Sequence, residues 1–111
     1  MKLSLVMEIA EKYFEAWNQK DYQKLSSTLS DDVQLFDWDQ KCEGLKAVVN
    51  ATQKIHENLP NIDIDVINLY NADPLITAEL VINLGDGDSL RVVDLLTFKS
   101  DKICRIDAFK Q

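Results

Sequence analysis

The sequence is poor in cysteine, histidine, glycine and proline. It contains 2 cysteines, 1 histidine, 3 glycines and 2 prolines in 111 residues. Cys42 and Cys104 have no CxxC spacing, and His56 has no second histidine, so neither a metal site nor a disulfide framework is indicated. We therefore expect reduced thiols in a cytoplasmic protein, with a disulfide between the two cysteines as the minor alternative.

Basic charge and long apolar runs are also missing. The sequence contains 12 Lys and Arg residues and 19 Asp and Glu residues, which gives a formal net charge of −7. This excludes nucleic acid and an anionic membrane surface as the main partner, because both require a basic footprint. No apolar run reaches the roughly 20 residues that span a bilayer. Glu8, Glu11 and Lys12 interrupt the apolar N-terminal stretch, so no signal peptide is expected.

The remaining composition, 46% hydrophobic and 28% charged, is that of an ordinary globular protein, and the length fits one domain over residues 1–111. Hydrophobic periodicity predicts helices over residues 3–19, from Asp21 through Leu29, and from Leu45 to Leu59. Predicted strands cover residues 33–38, 62–70, 75–84, 89–99 and 103–109, with turns at 71–74 and 85–88. This order predicts an α+β fold, with three N-terminal helices on one face of a curved, mostly antiparallel sheet.

Asp94 is the most informative residue, because it stands on the apolar face of a predicted strand. Side chains of a strand alternate between two faces, and one face of residues 89–99 presents Leu90, Val92, Asp94, Leu96 and Phe98. A carboxylate in an apolar interior is costly unless it is paired, solvated in a cavity or protonated. We favour a pocket site, and a bond to a neighbouring strand or a buried water is the alternative.

The opposite face of the same strand is not fully polar, since Val93 and Leu95 lie on it. An apolar outer face on a curved sheet favours a homodimer contact. Scattered exposed apolar residues, which are normal on monomers, are the alternative.

Several motifs together resemble the NTF2-like superfamily, in its ketosteroid isomerase-like and SnoaL-like branches. They are Trp17-Asn18-Gln19-Lys20-Asp21, Leu29-Ser30-Asp31-Asp32-Val33, Glu43-Gly44-Leu45, Asp94-Leu95-Leu96-Thr97-Phe98 and the segment 102–109. The resemblance covers nearly the whole chain and implies a cone-shaped α+β fold. It implies no single activity, because this fold hosts enzymes and binding modules alike.

The ketosteroid isomerase pattern implies three catalytic residues. Its tyrosine on the first helix matches Tyr13, its aspartate base near the end of the first strand matches Asp37, and its protonated late-strand aspartate matches Asp94. The strand pattern agrees, because Val33, Leu35 and Asp37 share one face.

The implied reaction is proton abstraction next to the carbonyl of a small apolar ligand, without metal or organic cofactor. Asp37 would act as the base, and Tyr13 and neutral Asp94 would donate hydrogen bonds to the oxyanion. Further residues expected to contact the ligand are Phe14, Trp17, Trp38 and Thr52.

Departures from the isomerase pattern put a steroid substrate in doubt. Trp38-Asp39 follows the base where the isomerases have proline, and the loop from there to Gly44 is shorter. Thr52 stands where some members have a second tyrosine. The chain stops at Gln111, earlier than the isomerases do, so we expect a less covered pocket mouth that Trp38 narrows.

Other functions stay open at this level. A SnoaL-like cyclase is the second enzymatic interpretation, and a non-catalytic NTF2-like domain for an apolar ligand or protein partner is the main alternative to an enzyme. A transport adaptor like the superfamily's namesake is a third. For His56, a helix-surface or core-edge position is favoured over catalysis. Arg105 and Asp107 share a strand face and resemble, weakly, the Arg/Asp sites of epoxide hydrolases in this superfamily.

Overall fold

The computed structural model describes residues 2–72 and 74–111, with side chains from Leu5 onward. Its helices are α1 (Lys2–Gln19), α2 (Tyr22–Ser27) and α3 (Leu45–Asn58). Its strands are β1 (Leu29–Phe36), β2 (Lys41–Glu43), β3 (Asp63–Ala72), β4 (Leu75–Asn83), β5 (Ser89–Lys99) and β6 (Lys102–Lys110). The predicted turn at residues 71–74 includes Asp73, which lies outside the described residues.

The strands form one mixed sheet with the order β2-β1-β6-β5-β4-β3. The long strands β3 to β6 are joined by antiparallel pairing between successive neighbours. β1 runs parallel to β6 and antiparallel to β2. The predicted α+β fold, three N-terminal helices on a curved, mostly antiparallel sheet, is confirmed.

The predicted second helix is too long, and the boundary with β1 needs correction. Thr28 ends α2, because its backbone N–H and its hydroxyl both donate to the Leu25 carbonyl, at 3.1 and 2.7 Å. Leu29 therefore begins β1 and pairs with Ile103 of β6. A buried leucine satisfies a helical stripe and a strand equally well, so only the pairing with β6 decides between them.

The first strand also ends earlier than predicted, at Phe36, and Trp38 lies in the turn after it. The Asp37 backbone N–H donates to the Gln40 carbonyl at 3.0 Å and closes this turn. The returning strand β2 was not predicted, because three residues are too few to show a period.

The inner face of the sheet is apolar and packs against α1 and α3. On β4 the inward residues include Ile76, Ala78 and Leu80, which are buried, and on β5 Val92 and Leu96 alternate with exposed Arg91 and Val93. These side chains form one core with residues of all three helices. Asp94 is 7% exposed among them, so its predicted inward orientation is confirmed.

No helix within residues 2–72 and 74–111 is long and apolar enough to cross a membrane. Cys42 and Cys104 are both free thiols, as expected from the sequence.

Asn18 fastens the end of α1 to the edge strand β3. Its amide Nδ2 donates to the Ile64 carbonyl at 2.8 Å, and its Oδ1 accepts from the Ile64 backbone N–H at 2.7 Å. One side chain thus makes the two hydrogen bonds that a neighbouring strand would make. This explains physically why an asparagine follows Trp17, since its side-chain amide offers a donor and an acceptor on adjacent atoms, as a backbone peptide group does.

We expect Asn18→Ala to lower the free energy of unfolding by about 1–2 kcal/mol, because two hydrogen bonds to the backbone of β3 are lost. Urea denaturation followed by circular dichroism measures the change. Asn50→Ala is the matched control, because Asn50 is an exposed helical asparagine with the same gain in helix propensity. Equal stability changes in the two variants would show that the Asn18 contacts contribute nothing.

Candidate active site

A cavity of about 300 Å³ lies between the inner face of the sheet, α1, α3 and the turn after β1. Its volume is at the lower end of the range for small-molecule sites. Most of its wall is apolar: Leu35, Ile55, Leu59, Ile62, Ile64, Leu80, Ile82, Leu84, Leu90, Val92, Ile106 and Ala108. The polar and aromatic side chains on the wall are those of Tyr13, Trp17, Asp37, Trp38, Asp39, Gln40, Thr52 and Asp94.

Tyr13 and Trp17 enter the cavity from α1. They are four residues apart, so they lie above each other on one face of the helix. Phe14 is rotated by about 100° from Tyr13 and is not part of the cavity wall. Its ring packs edge-on against Tyr13, with centroids 5.0 Å apart, so the structure makes Phe14 a core residue behind the site instead of the predicted ligand contact.

Asp94 lies on the sheet floor of the cavity, between two small neighbours. It pairs with Ala78 on β4 and with Ala108 on β6. Because neither alanine reaches over the carboxyl, the space above Asp94 stays open. No hydrogen bond joins its carboxyl to another group in residues 5–72 and 74–111. The predicted alternative, a bond to a neighbouring strand, is therefore not what the structure shows.

Asp37 lies at the cavity mouth, where its carboxylate organises the turn after β1. Oδ1 accepts from the backbone N–H groups of Asp39 and Gln40, at 2.7 and 2.9 Å. Oδ2 accepts from the Gln40 side-chain amide at 3.2 Å. This is an Asx turn, and it fixes the orientation of the carboxylate while Oδ2 keeps room for a proton.

The negative charge of Asp37 acts on Asp94, and that of Asp94 acts on Tyr13. Burial, and then the negative charge of Asp37, raises the pKa of Asp94 to about 7. Burial, and then the charge of Asp94, raises the pKa of Tyr13 far above its ordinary value. A phenol and a carboxyl that hold their protons can both donate hydrogen bonds to an oxygen in the cavity.

Trp38 and Thr52 also line the cavity, as expected. Trp38 is 39% exposed and stands at the mouth, where the Lys110 ammonium lies 5.3 Å from its ring centroid. The Thr52 hydroxyl is engaged by its own helix, donating to the Val48 carbonyl at 3.0 Å. Thr52 thus presents mainly its methyl group to a ligand.

His56 is buried on α3 behind Trp17 and does not line the cavity. Its ring meets Trp17 edge-on with centroids 4.4 Å apart, and its Nδ1 shares a hydrogen bond of 2.6 Å with the Tyr22 hydroxyl. Burial, and then the charge of Lys20, lowers the pKa of His56. This histidine holds Trp17 in place, which agrees with the expected core-edge position.

Arg105 and Asp107 form an ion pair of 2.8 Å, and neither side chain lines the cavity. Their positions alternate with those of Ile106 and Ala108, which do line it, so the pair lies on the outer face of the sheet. The cavity therefore does not contain the Arg/Asp pair considered from the sequence.

Asp39 and Gln40 were not predicted as site residues. They belong to a turn whose shape depends on hydrogen bonds to Asp37. The sequence signal was Asp37 followed, two and three residues later, by the polar residues Asp39 and Gln40. This pattern is typical of Asx turns anywhere on a protein surface. It gives no sign that the turn closes a cavity.

Comparison with known proteins places this architecture among NTF2-like folds. A putative ketosteroid isomerase from Kribbella flavida DSM 17836 superposes with a TM-score of 0.88 at 20% identity, covering 98% of this chain and 79% of that one. A protein of unknown function with a cystatin-like fold from Methylobium petroleophilum PM1 superposes with a TM-score of 0.89 at 14% identity, covering 97% of this chain and 76% of that one. A putative isomerase of the SnoaL-like family from Agrobacterium tumefaciens C58 superposes with a TM-score of 0.84 at 15% identity, covering 97% of this chain and 98% of that one.

The sequence itself matches the SnoaL-like domain over residues 10–106. The chain belongs to the SnoaL-like family, in agreement with the resemblance found in its motifs. No curated protein matches it. At these identities the solved structures establish the fold, and the chemistry has to be argued from the cavity.

The raised pKa of Asp94 has a consequence for stability. The unfolded chain releases this proton near pH 4, whereas the folded protein holds it up to about pH 7. The contribution of Asp94 to the free energy of unfolding therefore falls as the pH rises from about 4 to about 7, and then stays constant.

Asp94 should lower the free energy of unfolding of the wild-type protein between pH 4.5 and pH 8 by on the order of 2–4 kcal/mol. Asp94→Asn should not show this loss, so its stability relative to wild type should be greater at pH 8 than at pH 4.5 by the same amount. Chemical denaturation of both proteins at pH 4.5, 6 and 8 measures the difference. Asp31→Asn, at an exposed position on β1, should leave the pH dependence as it is. A parallel pH dependence of wild type and Asp94→Asn would contradict the buried-carboxyl interpretation.

Proposed function

We propose that this protein is a small-molecule enzyme that transfers a proton next to the carbonyl of a small apolar substrate. The observation that carries the proposal is the convergence of Tyr13, Asp37 and Asp94 on one largely apolar cavity. A carbonyl-bearing ligand of moderate size suits a cavity of about 300 Å³ better than an enclosed steroid does.

Each residue has a role that its surroundings support. Asp37 abstracts the proton, because its carboxylate lines the cavity and is held in a fixed orientation by hydrogen bonds from the turn. Tyr13 and neutral Asp94 donate hydrogen bonds to the oxygen on which the negative charge develops. The apolar wall keeps water away, which strengthens these electrostatic interactions.

A non-catalytic SnoaL-like domain that binds an apolar ligand is the second candidate. The observation in its favour is the set of hydrogen bonds on Asp37, which gives this carboxylate a structural task in the turn. Ligand binding without turnover is what this candidate predicts.

Deuterium exchange separates the two candidates. In D₂O, with NMR detection, we expect the wild-type protein to exchange the α-hydrogens of small cyclic enones and β,γ-unsaturated ketones. Asp37→Asn should lower the rate by about 10²–10⁴-fold, because the base is lost. Tyr13→Phe should lower it by about 10²–10³-fold, because one oxyanion donor is lost. Asp31→Asn is the control, and ligand binding with no exchange supports the binding domain.

The pH profile tests which aspartate is the base. With Asp94 as a neutral donor, kcat falls as the pH rises through about 7. Asp94→Asn, whose amide donates at every pH, should lose this fall. A rate that instead rises through pH 7 would mean that Asp94 is the base and Asp37 is not.

We also propose that the outer face of the sheet forms a homodimer contact. Val93 on β5 pairs with Phe109 on β6, and Phe109 is 57% exposed. Leu95, two residues after Val93, lies on the same outer face. Leu95 pairs with Thr77, and Thr77 pairs with Tyr70, so Tyr70 lies on this face as well. Exposed aromatic and aliphatic side chains in one patch favour association of two copies.

In sedimentation equilibrium, we expect a mass of two chains for the wild-type protein. Val93→Glu should raise the dimer dissociation constant at least about tenfold, because it buries a charge in the contact. Val66→Glu is the matched control. Val66 is also an exposed valine, but it pairs with inward-facing Leu80 and so lies on the inner face of the sheet, away from the proposed contact. A monomeric wild-type protein, or equal effects of both variants, would contradict the contact.

A further inference from the structure

The charge of the cavity has one sign. Three carboxyl groups line it, those of Asp37, Asp39 and Asp94, and no lysine, arginine or histidine is among its lining residues. The sequence as a whole carries a formal net charge of −7. A site with these charges and low-dielectric walls repels anions and concentrates cations.

Asp94 is an acid without a partner. It is 7% exposed, lines the cavity and makes no hydrogen bond to another described group. Buried carboxylates in proteins are paired with a cation or bonded to donors. Within the described residues no group supplies either, and Asp94 faces the cavity, so a ligand there can supply the opposite charge to the ionised carboxylate.

Three aromatic side chains stand around the same space: Tyr13, Trp17 and Trp38. Aromatic faces attract cations, and tryptophan does so most strongly. Trp38 already has an ammonium 5.3 Å from its ring, that of Lys110. Lys110 is not among the residues that line the cavity, so this group leaves the carboxyls inside uncompensated.

We propose that the cavity binds a small lipophilic ammonium ion, a protonated tertiary amine or a quaternary ammonium, with its nitrogen between Asp94 and the aromatic wall. The carboxylate supplies the opposite charge, the aromatic faces surround the methyl or methylene groups, and the apolar wall takes the organic substituent. This ligand class goes beyond the proposed reaction, since a cation is bound here whether or not a carbonyl substrate is turned over.

Binding of the cation is linked to release of a proton. The titratable groups that face Asp94 are Tyr13 from α1 and Asp37 from the turn after β1, and its strand neighbours Ala78 and Ala108 carry no charge. Asp94 holds its proton up to about pH 7 in the empty cavity, and an adjacent ammonium favours the ionised form. Affinity for the cation therefore rises with pH through 7 and is constant above it.

The test is titration with benzyltrimethylammonium and with its neutral isostere 2,2-dimethyl-1-phenylpropane, followed by NMR shifts of the tryptophan indoles. At pH 8 we expect the ammonium to bind at least about tenfold more tightly than the isostere. Its affinity should fall about 10- to 30-fold between pH 8 and pH 5.5, the range over which Asp94 takes up its proton. Binding of the isostere should not strengthen as the pH rises, because it carries no charge that favours the ionised form of Asp94.

Calorimetry at pH 6 in two buffers of different ionisation enthalpy counts the released proton. We expect about 0.5–0.9 proton released per bound ammonium in the wild-type protein, as the 10- to 30-fold fall in affinity implies. We expect none in Asp94→Asn, and Asp31→Asn should behave as wild type. Trp38→Leu, at a partly exposed position that is safe for folding, should weaken the ammonium more than the isostere.

Equal affinities for the ammonium and the isostere, or an ammonium affinity that is independent of pH, would overturn the proposal. Failure of the carbonyl reaction is recognised separately, by absence of deuterium exchange. Ammonium binding and deuterium exchange are therefore independent results, and failure of one leaves the other proposal standing.

Discussion

The apolar inner face of the sheet has to be removed from water, and this requirement determines where the rest of the molecule lies. The strands β4, β5 and β6 alternate apolar and polar side chains, so one face of the sheet has to be covered by helices. α1 and α3 supply that cover, and the turn after β1 closes one end. Because the sheet is curved, the helices leave a space of about 300 Å³ above its centre.

Asp94 lines that space, and its neighbours explain how an acid is tolerated there. Ala78 and Ala108 flank it, so the cavity, and not another side chain, meets the carboxyl. Burial and the charge of Asp37 raise the pKa of Asp94 to about 7. The group can therefore exist in either form near neutral pH, as a donor to an oxygen or as the counter-charge of a cation.

Asp37 connects the fold to the site. Its carboxylate holds the turn that carries Trp38, Asp39 and Gln40, and the same turn forms the mouth of the cavity. Membership of the SnoaL-like family is consistent with this arrangement, while the low identity of the solved neighbours leaves the chemistry to these side chains. Tyr13, Asp37 and Asp94 thus share one cavity, in which the charge of Asp37 acts on Asp94 and that of Asp94 acts on Tyr13.

The order of helices and long strands can be read from the amino-acid pattern alone, because periods of 3.6 and 2 residues are local properties. The same pattern also places Asp94 on the inward face. Tertiary structure alone decided that Leu29 begins a strand, since the parallel pairing with β6 joins residues 74 positions apart. It alone placed Phe14 behind Tyr13, left the cavity without a basic residue and put Asn18 against β3. These outcomes depend on contacts between distant segments, which no local pattern records.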